Sequence, residues 1–177
     1  DINLYSVKAD YETNYKGGRL GVGAKIGVVD SDNDFRRYDV YNNGKVLDTL
    51  KSNRFKYKEN INALYVNYNK QFKKGVMIQA GLRAENTNAD GNSTGFKQVN
   101  NVMLPYDSTF SRNYTNLFPS AAITFNKNPM KQWTLSYSRR IDRPAYQDLN
   151  PFEFKLNEYS FMKGNTRLQP QYTNSFD

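Results

Sequence analysis

The chain has no cysteine and no histidine in 177 residues, and only one tryptophan. Those absences exclude Cys- and His-based zinc sites, Ser-His-Asp triads and imidazole acid–base chemistry together. They also leave nothing for a disulfide, which does not bear on the compartment. Only chemistry run by carboxylate, Lys, Ser or Tyr side chains remains, so the expectation is no enzyme, no metal and no cofactor. Long hydrophobic runs are missing too, since no stretch approaches the ~20 apolar residues of a transmembrane helix. With 38% hydrophobic residues and a mean hydropathy of −0.83, the composition reads as that of a soluble protein. A transmembrane β-barrel escapes that test, because only alternate residues of each strand need be apolar.

What is present is aromatic and basic: 14 Tyr, 11 Phe and a net charge of +8. The charge favours anionic partners, but no Lys/Arg run concentrates it. The stretch YSVKADYETNY sets Tyr5, Val7, Ala9, Tyr11, Thr13 and Tyr15 on one parity against Ser6, Lys8, Asp10, Glu12 and Asn14 on the other. That is a period-2 strand. Next, Leu20, Val22, Ala24, Ile26 and Val28 alternate with Gly21, Gly23, Lys25 and Gly27. Glycines repeating on one face leave room for something to lie close against it. Similar runs follow around Leu64–Tyr68, Val76–Ala84, Ala121–Phe125 and Trp133–Tyr137.

Short turns are expected at 16–18, 73–75 and 126–131, and long polar loops at about 30–54, 87–113 and 141–171. The predicted fold is all-β, an antiparallel up-and-down meander of six strands with a seventh starting. Alternation alone also fits a soluble antiparallel sheet with one wet face. Two features favour the barrel: short turns on one side with long loops on the other, and aromatics beside the short turns. Tyr15, Phe72, Phe125, Trp133 and Tyr137 are the candidate membrane girdle. Six or seven strands cannot close a lipid-spanning barrel, for which ~8 is the working minimum, so the chain is expected to be part of a larger one.

Toward the C-terminal side the pattern becomes specific. SYSRRIDRPAYQDLNPF (136–152), followed by GNTRLQPQYTNSF, resembles an element of TonB-dependent outer-membrane receptors. It is closer still to the related outer-membrane β-barrel family of Bacteroidota. KADYETNY, GAKIG, FKYKENINALYVNYNKQF, QAGLRAENT and NLFPSAAITF agree in the same order. Thr166 and Gln171 depart from the family's usual proline and glutamate.

The resemblance implies a barrel of about 22 strands within the known size range, in the outer membrane of a Gram-negative cell. It implies a plug and a TonB-contacting segment outside these residues, and uptake of a nutrient ligand. A non-transporting scaffold of an envelope complex is the alternative. The implied partners are outer-membrane lipid and lipopolysaccharide, the rest of the barrel with its plug, TonB, and a nutrient; nucleic acid is not among them.

Candidate lumen or loop contacts to a ligand are Arg83, Glu85, Arg140, Arg143, Tyr146 and Asp148. The competing reading of Arg83 and Glu85 is cross-strand pairing that braces the wall. By parity Arg139 is expected on the lipid side at headgroup depth, facing outer-leaflet phosphates, and Pro144 is expected to interrupt the ladder. The acidic run DSDNDF lacks an EF-hand's Gly and Glu, having Phe35 and Tyr41 at those positions, and is read as a solvated loop. Asn92-Ser93-Thr94 and Asn113-Tyr114-Thr115 match the glycosylation pattern by chance in so Asn-rich a chain.

Overall fold

The computed structural model describes residues 1–177 apart from 43, 74, 129–130 and 158; the side chains of 127 and 128 are also left out. The elements are β1 (Ile2–Tyr15), β2 (Gly18–Tyr41), β3 (Gly44–Phe72), β4 (Val76–Val99), β5 (Val102–Asn128) and β6 (Lys131–Asp142). A 3-10 turn (Tyr146–Leu149), β7 (Glu153–Lys155), β8 (Phe161–Lys163) and β9 (Gln171–Phe176) follow. One antiparallel sheet runs β1-β2-β3-β4-β5-β6-β9, and β7 pairs with β8 separately. The meander is as expected. Among the described residues β1 and β9 are each paired on one side only.

Two of the three expected long loops are not loops. Residues 30–54 and 87–113 continue the strands, so that β2–β3 and β4–β5 are single long hairpins. The tip of the second is Asn100-Asn101, both with positive φ (48° and 61°), the conformation that Asn tolerates in a tight hairpin turn. Asn, Asp, Gly and Ser mark a turn only where the backbone needs one. Here an unbroken ladder from Val76↔Phe125 to Val99↔Val102 pairs the two strands along their whole length, and polar side chains pair across it, as Asn92 does with Asp107. Extra residues at Thr49–Ser52 are accommodated where the β2–β3 register shifts. Asp48 there accepts the Lys51 N–H and pairs with the Lys51 ammonium, while the Ser52 hydroxyl donates to the Asp48 carbonyl.

Of the three short turns, the one expected at 16–18 lies wholly within the described residues. Lys16 and Gly17, at φ 47° and 73°, join β1 to β2. The turn expected at 73–75 includes residue 74, and that at 126–131 includes 129–130, all outside the described residues; β5 itself reaches Asn128, opposite Lys131.

The register aligns one apolar face across the sheet. Tyr11↔Val22↔Val66↔Leu82↔Pro119 is one row, and Thr13↔Leu20↔Tyr68↔Ala80↔Ala121↔Tyr137↔Phe176 is another. This belt is uncovered: Val7 is 73% exposed, Leu64 67% and Trp133 74%. On β4 it runs from Val76 to Ala84, about 27 Å along the strand at ~3.4 Å per residue.

Above the belt the same face turns to amide. Asn60, Asn62, Asn86, Asn88, Asn113 and Thr115 form a hydrogen-bonded band, with Asn86 Nδ2 donating to Thr115 at 2.9 Å and Asn88 Nδ2 to Asn86 at 2.9 Å.

The buried core lies on the opposite face, above the level of the belt. It comprises Phe55, Tyr57, Ala89 and Leu149, with Phe110 and Tyr146 packed against it. The polar-face glycines are covered as their spacing suggests. The Tyr65 ring lies over Gly23 and the Phe110 ring over Gly91, where any Cβ would collide with it.

Candidate functional site

The third connection is long, as expected, but it does not hang into solvent. From Arg143 to Pro170 it folds back over the polar face of β2–β5 as a strap. Its root is ionic. The Glu85 carboxylate is shared by two guanidiniums, accepting from Arg83 Nε and, at 2.6 Å, from Arg143. Arg143 also donates to the Thr87 hydroxyl at 3.1 Å. The Glu85 side chain is only 9% exposed, so the pair is shielded more than an ordinary surface bridge.

The strap's centre is held by Leu149 and Asn150. Leu149, 3% exposed, enters the core beside Phe55 and Tyr57; burying a Leu contributes about 1.5–3 kcal/mol. Tyr146 stacks on Tyr57 at 6.1 Å. That packing pushes the Tyr57 hydroxyl pKa well above the usual tyrosine value, burial being the main cause.

Asn150 Oδ1 collects three donors: Ser93 Oγ at 3.0 Å, Asn53 Nδ2 at 3.4 Å and the Phe152 N–H at 3.2 Å. Its carbonyl accepts the Gly164 N–H at 2.9 Å, and the Asp148 carbonyl accepts the Asn165 N–H at 2.7 Å, which ties the two limbs of the strap together. Arg112 donates to the Thr166 and Leu168 carbonyls from the far side.

Between strap and wall lies a cavity of about 520 Å³. Phe35, Phe55, Tyr146, Phe152 and Phe154 supply its apolar walls, with Phe35 and Phe154 at 4.7 Å. Asn33, Gln147, Asn165, Asp148 and Lys163 supply polar groups.

Of the six candidate contacts, the structure brings Arg83, Glu85 and Arg143 into one cluster at the strap's root and puts Tyr146 and Asp148 on the cavity. Arg140 is apart, in a hollow nearer the short turns with Tyr65, Asn67 and Asp177. Arg83 and Glu85 pair along one strand rather than across two, and Glu85 alone of them fastens the strap. Arg139 lies on the belt face with its guanidinium 5.1 Å from the centre of the Tyr172 ring. The register groups Phe72, Phe125 and Trp133 in one row with Val76 at the short-turn edge, and puts Tyr15 one row away. Tyr137 is four residues along from Trp133, level with Ala80 and Ala121, and its hydroxyl donates to Asn174 at 3.1 Å.

The sequence reading missed Asn53, Phe55, Tyr57, Ser93 and Arg112. A signal for some of them exists. Apolar parity on β3 is even at Leu64, Val66 and Tyr68 but odd at Ile61, Tyr57 and Phe55.

A sheet with an uncovered apolar belt and a polar face carrying its own core is the arrangement of a wall between lipid and water. The model of the outer membrane protein beta-barrel family matches residues 1–177. The chain belongs to this family. Its location is therefore the outer membrane. No curated protein matches the sequence. Among solved structures, the crystal structure of Ail, the attachment invasion locus protein of Yersinia pestis, is 16% identical, covering 78% of this chain and 83% of that one, with a TM-score of 0.25. Ail in complex with the heparin analogue sucrose octasulfate matches at 17% identity over the same shares, with a TM-score of 0.23. At such scores the backbones do not superpose as wholes, and Ail bears on neither strand number nor function here.

Proposed function

We propose that this chain is the ligand-capturing wall of an outer-membrane receptor barrel, related to the TonB-dependent receptors and of the Bacteroidota type, that takes up a nutrient. The observation that carries this reading is the strap: a connection turned inward to enclose an aromatic- and amide-lined cavity where a solute would enter the lumen. Its role is binding rather than catalysis. Outer-membrane barrels keep short turns on the periplasmic side, so the β2–β3 and β4–β5 hairpins and the cavity face outward.

The unpaired edges of β1 and β9 cannot lie open in hydrocarbon, which supports a larger closed barrel, about 22 strands by the resemblance. Arg139 sits near the outer end of the belt, suited to a headgroup phosphate of the outer leaflet, with lipopolysaccharide the neighbour there. A plug and a TonB-contacting segment complete the receptor.

The test is uptake by cells carrying the full-length gene, with and without TonB. Nutrient accumulation that needs both supports the reading; a phenotype indifferent to TonB sinks it. That second outcome would favour the alternative, a scaffold barrel. One observation speaks for it: the β7–β8 hairpin presents Tyr159 at 95% exposure with Leu156 and Phe161 beside it, an apolar tip open to a partner.

A further inference from the structure

The cavity under the strap has a composition that narrows its occupant. Its walls are four phenylalanines and a tyrosine, enough to enclose one large apolar side chain, and its volume of about 520 Å³ falls in the range of small-molecule sites. Its polar groups are mainly amides. Asn53 and Asn150 are engaged in holding the strap. The Asn33 side chain and Asn165 Nδ2 make no hydrogen bond among the described residues, and Gln147 spends only Nε2, on the Tyr146 hydroxyl. An amide side chain offers a donor and an acceptor together, the match for a peptide group.

Charge makes the choice. Asp148 and Lys163 both line the cavity, both are exposed to solvent, and neither has an ionic partner among the described residues. A neutral saccharide would leave both charges unmatched, and a polyanion would meet Asp148 as a like charge. A zwitterion with an apolar side chain matches all three features. We propose that the cavity binds a short peptide with free termini and a large apolar side chain. Asp148 takes its ammonium, Lys163 its carboxylate, the amides its peptide groups, and the phenylalanines its side chain. This rests on the receptor reading and names its ligand class.

The experiment is calorimetric titration of the full-length protein in lipid nanodiscs with the tripeptide Ala-Phe-Ala. Companion titrations use its N-acetylated and C-amidated forms, maltotriose and citrate. The free peptide should bind, and blocking either terminus should weaken it about tenfold, the worth of one charge-assisted hydrogen bond. Asp148→Asn should weaken the free peptide about tenfold yet leave the N-acetylated form unchanged, and Lys163→Met should do the same against the C-amidated form. Those paired comparisons hold even if a variant loosens the strap, because general damage would weaken every peptide alike. The inference is overturned if maltotriose or citrate binds and the peptide does not, if nothing binds, or if both charge variants bind the free peptide as the wild type does. Peptide binding without TonB-dependent uptake would leave the site standing and remove the transport reading; TonB-dependent uptake with an indifferent cavity would do the reverse.

Discussion

Replacing Asn150 by alanine should release the strap while leaving the wall intact. The side chain removes no apolar area of note, so the cost is in orphaned partners. Ser93, fully buried, loses its acceptor at 3.0 Å and is left with the Tyr106 hydroxyl at 3.4 Å, and Asn53, 6% exposed, keeps only its bond to Ser93. The Phe152 N–H loses its acceptor as well. A buried polar group left unsatisfied costs about 1–3 kcal/mol. With two buried groups each left partly unsatisfied, the strap should lose about 1–3 kcal/mol of docking energy, which raises its open population roughly 5- to 150-fold.

Hydrogen exchange read by mass spectrometry suits this, since the Gly164 and Asn165 amides report strap closure directly. Both should exchange faster by that factor, while amides of the β4–β5 ladder stay at wild-type rates. Asn150→Asp keeps the acceptor oxygen and should restore most of the protection. Asn157→Ala is the control. Asn157 Oδ1 caps only the Tyr159 and Ser160 N–H groups at 2.9 and 2.8 Å, so its loss should free the hairpin tip alone. If 145–170 exchanges at the same rate in Asn150→Ala as in wild type, the strap is not held by that amide and the argument fails.

Other outcomes follow from the same geometry. Glu85→Gln leaves two guanidiniums without their shared carboxylate, and should destabilise strap docking by about 1–3 kcal/mol; a double-mutant cycle with Arg143→Met should show a coupling that Arg140→Met does not. Trp133, the one tryptophan, is exposed at the short-turn edge of the belt. Its fluorescence in lipid should be quenched more by bromine near the headgroups than at the chain ends, and the opposite ranking would move the belt. A nitroxide scan of 76–85 should report hydrocarbon at even positions and water at odd ones; equal exposure would sink the two-faced wall. The Lys51 ammonium holds the Asp48 carboxyl below its usual value. A depressed carboxylate stabilises the fold above its unfolded pKa of ~3.9 and loses that contribution as pH falls through the lower folded value. The Thr49–Ser52 segment should therefore loosen only in acid below about pH 4, seen as faster exchange at Lys51, and Asp48→Asn should loosen it at neutral pH.

The meander and its uncovered apolar face were legible because one rule governs both. Where one side of a strand meets hydrocarbon, that side must be apolar throughout, and the even positions from Val76 to Ala84 and the odd ones from Leu117 to Phe125 are. The upper halves of the hairpins follow no such rule. With water outside and the strap inside, their outer face is amide and charge, and their inner face is small where the strap lies close: Thr87, Ala89, Gly91 and Ser93 in succession. Composition of that kind is shared with real loops. Only the pairing distinguishes them, and pairing is a property of two segments rather than one.

The parity of apolar residues carries more than it was first asked to. On β3 it is even up to Leu64 and odd from Ala63 back to Phe55; on β5 it passes from Leu117 on the belt face to Phe118, Tyr114 and Phe110 on the other. On β2 the same exchange falls between Val28 and Val29, with Phe35 beyond. A strand cannot turn over without breaking its ladder, so the switch means that the apolar surroundings have changed sides. Below it the solvent for Leu and Val is lipid; above it the only apolar partner is the strap, whose Leu149 and Phe152 come from the Leu-Asn-Pro-Phe stretch. The basic run that precedes this stretch therefore does two jobs by position. Arg139 interrupts the apolar parity of the belt face before Ile141, and Arg143, four residues on, turns the chain inward by pairing with Glu85 one row above the last belt residues of β4. Rim and strap root are one continuous feature, and a change at Arg143 should reach the cavity through the strap without touching the membrane face at all.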